Sequence, residues 1–341
     1  MPDSPRGRRL VTGRRADALG VYLAAMAFPG ALVAQAGNWL DPSPHTVSFV
    51  SVAPDVRLEI LDWGGSGPAM LFLSGLDDTA HEFDDFAPMW SGRFHVLALT
   101  RRGFGASSQP AGGYQIDSLA HDIRVVLDSL RIKRVILVGH SIAGDELTRF
   151  AATWPARVSK LIYFDAAHDR VPLVTMFQQF PTPPPPPMTA ADSASPAAFR
   201  EYNCRINCIR FTLGEILSIA VFASDGRYLR DITPSRVDSA ILHGLEHPLY
   251  SRIHAPALAF YAVVDSAPQL FATWPYLDST GRALGQRFFE AFEPWAAEER
   301  VRFRREVANG RVVEIRGAHH YLFMSNEAEV IREMQAFLGN P

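Results

Sequence analysis

The sharpest chemical signal is the run Arg134-Val-Ile-Leu-Val-Gly139-His140-Ser141-Ile142-Ala143-Gly144. An apolar stretch enters a Gly-x-Ser turn, and a helical pattern begins at once. A strained turn between a buried strand and a helix presents a serine hydroxyl at the edge of a sheet, the context of a nucleophile elbow. A serine hydroxyl is a weak nucleophile at neutral pH, so such a site needs a base to take its proton and an acid to orient that base. The plain alternative for Ser141 is a helix N-cap. The small residues around it favour the tight turn, with Ala143 standing in a place usually held by glycine and Gly144 just after it.

The elements needed to position such a serine are legible. Continuous apolar runs at Ala69 to Ser74, Phe94 to Thr100, Arg134 to Val138 and Val158 to Phe164 read as parallel strands buried on both faces. Ile116 to Leu130 and Ile142 to Ala152 carry apolar residues at helical spacing between them. Val47 to Val52 and Val56 to Trp63, joined through Ala53-Pro54-Asp55, read as a hairpin. The rhythm fails after residue 168 and resumes with strands at Ala257 to Val264 and Arg311 to Ile315 and a closing helix at Glu327 to Leu338. Alternating strands and helices imply a mostly parallel, helix-flanked α/β sheet. Residues 46–168 form the first part of this core, 169–252 an inserted lid, and 253–341 the second part. The proline run Pro183 to Pro187 reads as a stiff spacer in the lid.

At this point the chain resembles the α/β-hydrolase family, over about residues 46 to 340. Leu71-Phe-Leu-Ser74-Gly75-Leu76 falls where that family has a strand followed by His-Gly. Thr100-Arg101-Arg102-Gly103-Phe104-Gly105-Ala106-Ser107 resembles its Asp-x-Arg-Gly-x-Gly-x-Ser turn, with Thr100 for the Asp. Gly317-Ala318-His319-His320 resembles Gly-x-Gly-His, with His319 for the second Gly.

The resemblance implies acyl transfer on a carboxylic ester or lactone, with Ser141 as nucleophile and His320 as base. His319 is then a loop neighbour. The acid is Asp265, following the run Ala257 to Val264, with Asp165 as the alternative one strand earlier. Leu76 and Ile142 supply the oxyanion N–H groups, worth about 3 kcal/mol each in such sites. Asp77 and Asp78 then point to solvent or hold the loop. The aromatic-rich stretch Phe271 to Arg305 is expected to form a second wall of the pocket. No cofactor and no metal is needed. Serine at the nucleophile position argues against the epoxide and haloalkane hydrolases of this kind, which use Asp there. C–C hydrolysis, perhydrolysis or ligand binding without catalysis on the same scaffold stay open.

Other signals set limits. Among 341 residues, 48% are apolar and 20% charged, enough for a full core. Lys+Arg 33 against Asp+Glu 36 gives a net charge of -3, which speaks against a nucleic-acid partner. The partner expected is a small-molecule ester or lactone. Arg6, Arg8, Arg9, Arg14 and Arg15 precede an apolar run from Ala18 to Val33 and Ala34-Gln35-Ala36, the pattern of a cleavable export signal over residues 1–36. A periplasmic or secreted protein with no stable membrane span follows as the expectation. Cys204 and Cys208 are either a lid disulfide or two thiols. His243-Gly-Leu-Glu246-His247 matches a zinc pattern, but Gly244 and Pro248 spoil the helix it requires.

Overall fold

The structure, a computed structural model, describes residues 41–339. The expected export signal lies outside the described residues. Among the described residues no helix is long and apolar enough to cross a membrane.

The hairpin forms as its turn residues require. β1 (Thr46–Ala53) and β2 (Val56–Gly64) pair antiparallel around Asp55, which takes the left-handed conformation at φ 61°. β3 (Ala69–Leu73), β4 (His95–Leu99), β5 (Val135–His140) and β6 (Val158–Phe164) follow. β7 (Ala220–Phe222) and β8 (Tyr228–Asp231) make a separate small ribbon, and β9 (Ala257–Val263) and β10 (Gly310–Arg316) complete the main sheet. Its order is β1-β2-β4-β3-β5-β6-β9-β10, parallel from β4 through β10.

Side-chain parity explains the apolar runs. Leu71, Leu73, Leu137, Leu161 and Tyr163 face one side and join the first core. Their neighbours Met70, Phe72, Val138, Ile162 and Phe164 face the other and join the second. Helices cover both faces, so neither set of side chains meets water. α1 (Ile116–Ser129) and α2 (Ala143–Thr153) connect strands of the first half. Between β6 and β9 lie α3 (Arg170–Gln179), α4 (Pro196–Asn207), α5 (Leu213–Ile219) and α6 (Ser235–His243), together with the β7–β8 ribbon. This insertion has its own small core around Phe199, Phe211, Ile216 and Phe222. α7 (Ala267–Leu270) and the 28-residue α8 (Ser279–Glu306) separate β9 from β10, and α9 (Leu322–Ser325) and α10 (Glu327–Leu338) close the chain.

The parallel strands all end on the same side, and the chemistry-bearing residues follow those ends: Ser74 after β3, Ser141 after β5, Asp165 after β6, Asp265 beyond β9 and His320 beyond β10.

Candidate active site

Ser141 sits at the β5–α2 junction with φ 53°, left-handed and therefore strained for a residue with a Cβ. Its amide donates to Phe164 O at 3.1 Å, which ties the turn to the end of β6. The small residues around it have distinct reasons. A Cβ on Gly144 would lie 1.8 Å from the Ala166 carbonyl oxygen, and one on Gly139 would lie 2.0 Å from Leu147 Cδ1. Ala143 is fully buried and accommodated. The strict requirement for glycine has therefore moved one residue along the motif.

His320 Nε2 lies 2.9 Å from Ser141 Oγ, and His320 Nδ1 lies 2.6 Å from Asp165 Oδ2. With the Nδ1 proton donated to Asp165, Nε2 is left to accept the serine proton. Asp165 is also left-handed, at φ 46°. Its Oδ1 accepts the Ala262 amide of β9 at 3.0 Å and lies 3.4 Å from His168 Nε2. Burial alone would raise the Asp165 carboxyl; the bonds from His168 and His320 outweigh it and hold the group far below the usual carboxylate range.

The structure sets Asp165, and not the preferred Asp265, against His320. Asp265 lies past the end of β9 on the outer side, exposed, with Oδ1 3.0 Å from Arg316 Nη1. β6 is the immediate neighbour of β5, whereas β9 is one strand farther away, so the acid that follows β6 is the one that meets the histidine. The loop from Gly317 to His320 carries the imidazole back across β9 to reach it. Of the two adjacent histidines, His319 stacks on Tyr321 and lines the cavity, its pKa lowered to about 4 by burial and by His320.

Leu76 and Ile142 line the same cavity as Ser141. Neither backbone N–H has a hydrogen-bond partner among the described residues. The loop bearing Leu76 is braced from three directions. Arg101 donates to Ser74 O at 2.7 Å and Gly75 O at 3.0 Å, and also pairs with Glu146. The Gly75 amide donates to Glu82 Oε1 at 3.0 Å, and Tyr321 Oη donates to Asp78 Oδ2 at 3.0 Å. Asp78 is thus buried and holds the loop rather than pointing to solvent, while Asp77 beside it is exposed.

Sequence reasoning missed Arg101, Glu82, His168 and Tyr321 as supports. The Arg101-Arg102 pair in the Thr100–Ser107 turn and the Asp165-x-x-His168 spacing were the available signals.

Behind the nucleophile, Asp78, Glu82 and His140 bring ligand atoms within 4.8 Å of one another. Protein groups engage each of them, with His140 Nδ1 3.1 Å from Glu82 Oε2. Burial pushes both carboxyls well up. This is a proton-sharing hydrogen-bond network. The His243–His247 pair does not converge. His243 Nδ1 lies 2.6 Å from Ser239 O, while His247 Nδ1 lies 2.6 Å from Asp169 Oδ2. Cys204 and Cys208 are free thiols.

The cavity over Ser141 has a volume of about 350 Å³. Leu173, Val174 and Phe177 of α3 wall one side; Phe288, Phe292 and Trp295 of α8 wall another. Phe271 also lines it, whereas Phe211 and Phe222 pack inside the insertion, and Phe180 and Tyr276 are exposed. Asp169 joins the two walls. It caps α3 by accepting the Val171 amide at 3.2 Å, and its Oδ2 accepts from Arg302 of α8 at 2.6 Å.

A family model described as alpha/beta hydrolase fold matches residues 68–193. The 2-(acetamidomethylene)succinate hydrolase of Mesorhizobium japonicum is 35% identical over 101 residues, 30% of this chain and 36% of that protein. The fluoroacetate dehalogenase of a Burkholderia species is 34% identical over 121 residues, 34% of this chain and 38% of that protein. The match thus spans little more than a third of the length of these curated relatives. At the level of structure, the crystal structure of E-2-(acetamidomethylene)succinate hydrolase superposes with a TM-score of 0.60 at 20% identity, covering 86% of this chain and 99% of that one. The sheet order, the family model over residues 68–193 and the superposition agree on one point: the chain has the α/β-hydrolase fold.

Proposed function

We propose that the protein is a serine hydrolase that cleaves a carboxylic ester or lactone through an acyl-enzyme. The observation that carries this reading is His320 bridging Ser141 Oγ at 2.9 Å and Asp165 Oδ2 at 2.6 Å. His320 Nε2 takes the hydroxyl proton as Oγ attacks the acyl carbon, and the carbonyl oxygen becomes negative between the Leu76 and Ile142 amides. The imidazolium then returns its proton to the leaving alkoxide. Water repeats the sequence to free the acid and restore Ser141. Asp165, charged throughout, keeps Nδ1 protonated and stabilises the imidazolium.

Serine in the nucleophile position favours acyl transfer over the alkyl transfer that a carboxylate nucleophile performs. The apolar lining from α3 and α8 fits an apolar acyl or alkyl group. Residues 169–252 act as the lid in this reading. Export by the residue 1–36 signal belongs to it as a separate proposal, tested by whether secreted material starts at Gly37.

Hydrolysis of p-nitrophenyl esters of graded acyl length, with Ser141→Ala alongside, tests the reaction. Turnover that disappears in Ser141→Ala, with phosphonate labelling of Ser141 in the wild type, supports it. Folded wild type that neither turns over any ester nor labels would overturn it in favour of a binding protein.

A further inference from the structure

Away from the cavity, two histidines and two aspartates converge where the chain enters β1. We propose that Asp41, His45, His81 and Asp84 form a structural site for a tetrahedral divalent cation, zinc by its donor set.

The four side chains place ligand atoms within 4.8 Å of one another. The separations are 3.0 Å for His81 Nδ1 to Asp84 Oδ2, 3.2 Å for His45 Nδ1 to Asp84 Oδ1, 3.4 Å for His81 Nδ1 to Asp41 Oδ2 and 3.8 Å for His45 Nε2 to Asp41 Oδ2. A tetrahedral zinc with ligands at about 2.0–2.1 Å has ligand atoms roughly 3.3 Å apart. His81 Nδ1 meets that spacing to Asp84 Oδ2 and Asp41 Oδ2, and His45 offers either Nδ1 on the Asp84 side or Nε2 on the Asp41 side as its one ligand atom. Two imidazoles suit zinc, whereas calcium takes six to eight oxygens.

Two further observations point to a guest rather than a plain ion pair. The His45 side chain is 4% exposed and that of Asp84 2%. Yet His45 Nδ1 and Asp84 Oδ1 are buried without a hydrogen-bond partner, because they approach each other without hydrogen-bond geometry. Buried polar atoms left this way are costly unless something satisfies them. Secondly, the surroundings leave room. A Cβ on Gly214 of α5 would lie 2.6 Å from Asp84 Oδ2 and 2.9 Å from Asp41 Oδ2. Gly214 is not in a left-handed conformation, so its lack of a side chain serves the space.

The outer partners also fit. The Ser43 amide donates to Asp41 Oδ1 at 2.9 Å, which leaves Oδ2 for the cluster. The His45 ring is held edge-on between Trp63 and His81, at centroid distances of 5.4 and 5.1 Å. Four protein ligands with no open position make a structural site. It would fasten the chain before β1 to the 3₁₀ turn Ala80–Phe83, over the backbone of α5.

The full chain, stripped with chelator and then supplied with Zn²⁺ or Co²⁺ alone, is measured by elemental analysis, cobalt absorption and thermal melting. The expected result is one metal per chain, an intense tetrahedral cobalt spectrum and a Tm rise on the order of 5 °C in excess zinc. The spectrum and the bound equivalent should vanish in the His45→Gln/His81→Gln variant and in Gly214→Ala. Ester turnover of the wild type should change less than about twofold with zinc, as a site without an open position requires. Folded wild type that takes up neither metal would overturn the proposal, as would uptake unchanged in both variants.

Discussion

Asp165 meets His320 at 2.6 Å from a left-handed backbone, so the acid reaches its partner through a conformation that most side chains avoid. Asp165→Asn keeps the shape, but a neutral amide does not stabilise the imidazolium, and its NH2 facing Nδ1 holds the imidazole in the wrong tautomer. Ester turnover should fall on the order of 10³–10⁴-fold. Asp265→Asn should stay within about twofold of wild type, since it loses only an exposed contact with Arg316. Parallel kcat measurements decide between them, and a large loss at Asp265 with little at Asp165 would return the acid to the end of β9.

Arg101 supports the amide of Leu76 only through carbonyl groups on the loop before it. Lysine keeps the charge but cannot reproduce the fork to Ser74 O and Gly75 O. Arg101→Lys should lower kcat about 10–100-fold and leave KM within about threefold, because a displaced N–H harms the transition state more than substrate binding. A rise in KM at constant kcat would place Arg101 in substrate binding instead. Melting curves on the same samples check that the buried pair with Glu146 has not simply collapsed.

Gly144 and Ala143 should both lose stability on a one-carbon exchange, by different amounts and for different reasons. Gly144→Ala drives a methyl group into the Ala166 carbonyl and should cost about 3 kcal/mol. Ala143→Gly makes the motif more conventional yet should destabilise by about 1 kcal/mol, the ordinary penalty of glycine at a helix start. Denaturant melts on both variants measure this. A harmless Gly144→Ala would mean that the elbow can relax.

Asp238 of α6 supplies a pH dependence separate from Ser141, Asp165 and His320. Burial first, and then the neighbouring Asp77 carboxylate, push Asp238 up to about 7. Between an unfolded value of about 4 and this folded value, the native chain keeps a proton that the unfolded chain releases. Stability should therefore decline as pH rises from about 4 through about 7. Asp238→Asn should melt several degrees higher than wild type at pH 8, with the gap closing near pH 4. A gap of equal size at both pH values would locate the effect elsewhere.

How far the sequence carried this picture depended on what each feature is made of. The strands were legible because both faces are buried, and the elbow because its small residues adjoin such a strand. Ser141, His320, Leu76 and Ile142, picked out by the elbow pattern and by the resemblance, line one cavity. The acid did not follow from local pattern: Asp165 and Asp265 each follow an apolar run, and only the order of strands in the sheet separates them. Arg101, Glu82 and Tyr321 were hidden for the same reason. Arg101 and Tyr321 act on a loop distant in sequence, Glu82 on one seven residues before it, and a buried polar group looks like a surface one until its partner is known. His45 and His81 carry no metal spacing in sequence, since the fold alone brings them together.

Phe177 of α3 and Phe288 and Phe292 of α8 wall the cavity without a hydrogen bond to Ser141, Asp165 or His320, although Arg170 and His168 tie the same walls to Asp165. Exchanges at Phe177, Phe288 or Phe292 reshape what fits without touching the reacting atoms. Molecular recognition can thus drift while the chemistry stays fixed, and the Asp169 latch between the walls sets how far one side can change before the other must follow.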